Sequence, residues 1–172
     1  MVLRLPTEPS RHRVAVWRQL RRAGAVQLGP GSWALPALPI FSESVERVLE
    51  LAQRGAGDVV SLEARGRDAA SDAHLEAIYT EAREAEWTEF LSDCGKYLAE
   101  LAKEIANQKY TLAELDEEEQ SMDRLGRWHR ELSVRDAFGA PSAATAETSL
   151  QACAASLEDY TDRVFRSLNP GD

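Results

Sequence analysis

The chain has 172 residues, 44% of them apolar, and a net charge of −9. That length suits one domain or two small ones with enough apolar material for a core, and no apolar run is long enough to cross a bilayer. The start MVLRLPTEPS lacks the apolar segment of a secretory leader, and Cys94 and Cys153 have no CxxC or zinc-spaced partner, so a cytoplasmic protein with reduced thiols, no structural metal and no other cofactor is expected.

Val2 to Leu5 reads as a first strand, ended by Pro6. A helix follows, with Ser10 expected as its N-cap and Gly24 as its stop. Its spacing predicts Val16, Trp17, Leu20 and Ala23 on one apolar face. Arg11, Arg18 and Arg22 fall on the opposite face, Arg21 flanks them, and Arg13 lies in the first turn near the apolar side. Arg11, Arg13, Arg18, Arg21 and Arg22 are the candidate nucleic-acid-binding residues, because a row of guanidinium groups neutralises successive phosphates. Such a row is also a common way to keep a helix solvated.

Val26 and Leu28, then Gly29-Pro30-Gly31, then Trp33 and Leu35, spell a hairpin with Trp33 directed into the core. Phe41, Val45, Val48, Leu49 and Ala52 recur at helical spacing behind a Ser42 cap, and Gly55 and Gly57 close that helix. Alternation from Asp58 to about Arg65 predicts the last strand. The order is that of a ferredoxin-like βαββαβ domain over residues 1–67, both helices on one face of the sheet. A winged helix with Gly29-Pro30-Gly31 as wing tip is the weaker alternative, because strands flank the unit on both sides.

Residues 66–70 form the expected boundary to a helical domain, 71–169. Ser71 or Asp72 is expected to cap a long helix whose apolar stripe runs from Leu75 through Ile78, Phe90, Cys94 and Leu101 to Ile105. Thr111-Leu-Ala-Glu114 has capping-box spacing and starts a second helix. Phe138 to Pro141 breaks the pattern, and a third helix runs from about Ser142 to Leu168. Three such helices on short turns pack as an antiparallel bundle, so the fold class is α+β.

The charge is uneven. Residues 1–67 carry ten Arg against six acidic residues, a net of +4, and residues 68–172 carry −13. A basic half joined to an acidic one suggests two roles, with the acidic half either competing with nucleic acid for the basic face or pairing with it between subunits. The run Asp116-Glu117-Glu118-Glu119 is expected as a solvated helix face near a helix start. His12, His74 and His129 lack matching carboxylates and are expected at the surface or its boundary, while Trp87 and Trp128 mark either a helix interface or an exposed docking surface. No nucleophile elbow, Walker A loop or dinucleotide fingerprint is present, so no catalytic residue is assigned and no enzyme is expected.

Two motifs are more specific: Pro6-x-x-Pro9-Ser10-x-x-Arg13 and Gly31-x-Trp33-x-Leu35-Pro36. The whole run LRLPTEPSRHRVAVWRQLRRAGAVQLGPGSWALP closely resembles the N-terminal region of ChrB-type chromate-resistance proteins. The likeness continues through DVVSLEARG and the helix containing EAREAEWTEFL. The same start is distantly similar to the middle region of PaaX-type repressors and to CRISPR adaptation nucleases. The nucleases place an Asp at the end of the first strand for metal-dependent cleavage, and Leu5-Pro6 stands there in this chain. The ChrB resemblance implies a cytoplasmic regulatory or accessory role linked to chromate-efflux genes. Longer family members carry a second, C-terminal domain, and if anion sensing resides there this chain binds no chromate. The expectation is therefore a non-enzymatic regulator, a homodimer that binds DNA through the first helix. The alternative is a protein–protein interaction module that never touches nucleic acid.

Overall fold

The computed structural model describes residues 1–169, and the chain divides into two compact units, Met1–Ala82 and a second beginning at Arg83. The first unit contains β1 (Val2–Arg4), α1 (Ser10–Arg22), β2 (Val26–Gly29), β3 (Ser32–Ala34), α2 (Ser42–Arg54) and β4 (Asp58–Val60). The strands form one sheet in the order β2-β3-β1-β4, with every neighbouring pair antiparallel. This is the ferredoxin-like arrangement, not a winged helix. Leu3 and Trp33 from the sheet pack with Val16 and Leu20 of α1 and Val48 and Ala52 of α2, so both helices cover one face. Val2 is paired with Ser32 and Val60 on the other face, where Val2 and Val60 are exposed.

The hairpin turn needs its glycine. Gly31 has φ +69, its carbonyl accepts from the Leu3 N–H at 2.7 Å, and a Cβ there would lie 2.6 Å from the Leu3 carbonyl oxygen. The register skips from Gln27↔Trp33 to Gly29↔Ser32, so Leu28 is the extra residue of a bulge and is exposed. The expected inward alternation of Val26 and Leu28 fails for that reason. The last strand also stops early. β4 ends at Val60, and residues 61–65 have no ladder partner although their sequence alternates.

Helix starts differ in detail from expectation. Pro9 occupies the N-cap of α1 and Phe41 that of α2, so Ser10 and Ser42 are the first helical residues and cap nothing. Helix α3 (Ala69–Ala106) begins behind Asp68, whose carboxylate accepts from the backbone and the hydroxyl of Ser71 at 2.8 Å each. Asp68 therefore holds the role expected of Ser71 or Asp72.

In the second unit the rest of α3 packs with α4 (Leu112–Arg135) and α5 (Ala143–Leu168). The Trp87 indole N–H donates to Asp136 at 3.0 Å, and the Tyr97 hydroxyl donates to the Glu118 carbonyl at 3.3 Å. These contacts fix α3 and α4 as antiparallel. The Glu84 carboxylate accepts from the backbone N–H of Ser142, at the start of α5, and the Tyr160 hydroxyl donates to the Lys109 carbonyl near the end of α3. Helix α5 thus runs back alongside α3, giving the up-down-up bundle. Its core joins Trp87, Phe90, Cys94, Tyr97 and Leu101 to Leu125 and Leu132 and to Cys153, Tyr160 and Val164. Thr111 caps α4 by accepting from the Glu114 N–H at 3.3 Å. The Glu114 carboxylate is 3.5 Å from the Lys109 ammonium, and that ion pair is the contact it makes.

Candidate nucleic-acid interface

Helix α1 is the element that could meet an anionic polymer. Val16 and Leu20 turn inward with Ala23 just past the last turn, and Gly24 fixes where the helix ends. Gly24 has φ +79; its N–H donates to the Arg21 carbonyl at 3.0 Å, and the Ala25 N–H donates to the Leu20 carbonyl at 2.9 Å. With the inner face fixed, Arg11, Arg13, Arg18, Arg21 and Arg22 are all exposed. The spacing of Arg11, Arg18 and Arg22 lines them along one stripe. No acidic residue falls within α1, so the stripe is not neutralised by its own helix. Among the described residues Arg11, Arg13, Arg18 and Arg21 make no ion pair, and the Arg11 guanidinium lies 3.4 Å from the His12 ring.

Trp17 is not on the apolar face. It is 49% exposed, and the Arg21 guanidinium lies over its ring at 5.3 Å from the centroid. Val14 is exposed on the same side. The basic face therefore carries an aromatic platform and an aliphatic side chain among its arginines, a mixture that can contact phosphates, sugars and base edges or faces. The signal was present in the sequence: consecutive residues are 100° apart on a helix, so Val16 and Trp17 cannot both point straight inward.

Cys94, Cys153, Glu118, His129 and Trp87 all lie in the second unit, packed into or against the bundle core. Burial pushes the Cys94 thiol up to about 12, with Cys153 adding to the effect, and burial raises Cys153 as well. The Cys153 thiol donates to the Cys94 carbonyl at 3.7 Å, so these are core thiols. Glu118 is buried, against the expectation of a fully solvated acidic run; burial raises its pKa first, then the nearby Glu100, Glu104, Glu114 and Glu117. His129 stacks near Trp87 and Phe90, and its Nε2 is 3.2 Å from Glu147. Trp87 is 1% exposed and belongs to the bundle core rather than to a docking surface. Among the described residues no group of three His, Cys, Asp or Glu is placed to hold a metal, and no helix is long and apolar enough to cross a membrane.

Comparison with known proteins gives the family. The family described as "Protein ChrB, N-terminal" matches residues 13–171. Protein ChrB of Cupriavidus metallidurans is 27% identical over 175 residues, a match that takes in 100% of this chain and 48% of that protein. The chain thus spans about half the length of that curated relative. No solved structure matches it.

Proposed function

Because the chain belongs to the ChrB N-terminal family, we propose that it is a non-enzymatic regulator linked to chromate resistance that binds DNA through α1. The observation that carries this reading is the exposed arginine stripe on an otherwise acidic chain. A helix of this diameter fits the major groove, and Arg11, Arg18 and Arg22 are spaced to reach phosphates along it. Trp17 and Val14, on the same side, supply apolar contact to bases or sugars. No carboxylate of α1 itself offsets these arginines, although the chain as a whole carries a net charge of −9.

The test is fluorescence anisotropy with duplex DNA from upstream of the protein's own coding sequence. Arg11→Ala/Arg18→Ala/Arg22→Ala is expected to lose at least about tenfold in affinity, since each neutralised phosphate contributes through counterion release. Equal binding by wild type and variant would refute the reading and leave the alternative, an interaction module that acts on proteins alone.

A further inference from the structure

From Arg83 onward the chain has ten Lys and Arg. Seven of them hold a carboxylate within 3.5 Å. The other three, Arg124, Arg127 and Arg130, have no ion pair or hydrogen bond among the described residues. All three are exposed and all three lie on α4. In a stretch so rich in carboxylates, three neighbouring arginines without one are the exception that needs a cause.

The rest of the same helix supplies it. At 100° per residue, Leu112, Asp116, Glu119, Asp123, Arg127, Arg130 and Val134 fall within one stripe on the side away from Leu125 and Leu132. Every one of the seven is exposed, Leu112 at 61% and Val134 at 52%. Among the described residues Asp116, Glu119 and Asp123 also make no ion pair. The stripe is acidic in its first half and basic in its second, with an exposed apolar residue at each end. A groove of about 600 Å³ lies along one flank of the stripe, sharing Asp123, Arg127 and Arg130 with it and bordered on its other side by Glu117, Gln120 and Arg124.

The signs of charge invert about Asp123. If a second α4 is laid antiparallel across the first, Asp116 meets Arg130 and Glu119 meets Arg127, each twice by symmetry. Leu112 meets Val134, also twice. Asp123 faces its own copy at the axis, with Arg127 of each chain one turn away to offset the repulsion. We propose that the α4 stripe is an isologous docking surface for a second copy of this chain. A closed two-fold pair requires the same patch on both partners to be self-complementary, and this stripe meets that condition. It is about 33 Å long. Its pairing is dominated by ion pairs at a solvated surface, so the dimer is weak and salt-sensitive.

Light scattering after size-exclusion chromatography of the full chain tests this. At about 0.05 M salt the wild type is expected to run at twice the monomer mass, and at about 1 M salt, where the screening length is about 3 Å, to fall toward one. Asp116→Arg/Glu119→Arg makes the stripe basic on both sides of Asp123, and Arg127→Glu/Arg130→Glu makes it acidic throughout. Each variant alone should be monomeric, because like charges then face each other. Mixed, the two should form a heterodimer, which also shows that both remain folded. A wild type monomeric at low salt, variants that dimerise as wild type does, or a mixture that stays monomeric would each overturn the proposal.

Discussion

Glu118 is 8% exposed and shares its corner of the bundle with the carboxylates of Glu100, Glu104, Glu114 and Glu117. Burial and these neighbours raise its pKa in the folded chain. A group whose folded pKa is raised holds its proton more tightly when folded. Its favourable contribution is present at low pH and is lost as pH rises from the ordinary carboxylate range through the folded value. Glu118→Gln, which cannot ionise, is therefore expected to raise the melting temperature relative to wild type more at pH 7 than at pH 4. Equal shifts at the two pH values would show that the charge of Glu118 costs nothing. Nothing in the run Asp116 to Glu119 marks one carboxylate as buried, because four successive acidic residues sample every direction around a helix, and which one meets α3 depends on the packing. Trp17 gives the opposite lesson, since its 100° offset from Val16 could be read from spacing alone.

At the scale of elements, the starts and stops of helices follow short-range chemistry that is only partly local in sequence. The α2 stop is the clearest case. The Gly57 N–H donates to the Ala52 carbonyl at 2.9 Å, and the Ala56 N–H donates to the Gln53 carbonyl at 2.9 Å. Ala56 itself takes the left-handed conformation, with φ +53, between two glycines that do not. A Cβ costs about 1 kcal/mol or more in that conformation. Ala56→Gly is therefore expected to stabilise the chain by about 0.5–1 kcal/mol in urea unfolding, once the greater entropy of glycine in the unfolded chain is subtracted. A destabilised variant would mean that the alanine methyl makes packing contacts worth more than the strain. The two flanking glycines announce a stop without revealing which residue turns left-handed. The order of strands and helices was readable because periods of two and near four are distinct; the sheet order follows once crossovers are right-handed. The early end of β4 was not readable, since Ser61 to Arg65 alternate well but find no neighbouring strand.

Over the whole molecule, the charge is divided by position and so is its proposed use. The first unit presents arginines on α1 with no acidic residue in that helix, and the second presents a self-complementary stripe on α4. A dimer through α4 would hold two copies of α1 in one assembly and make binding depend on two half-sites rather than one. The asymmetry of charge was visible in composition alone. The arginines at 124, 127 and 130, which have no ion pair among the described residues, were not, because they stand out only against the ion pairs of the other cations, which depend on where side chains lie in the folded bundle. The most direct test of the DNA-binding account is the dependence of DNA affinity on salt. On log–log axes the wild-type association constant should fall steeply with salt, and Arg11→Ala/Arg18→Ala/Arg22→Ala should flatten the slope by about 3, one for each phosphate that the variant leaves without its arginine. Superimposable slopes for the two proteins would contradict it.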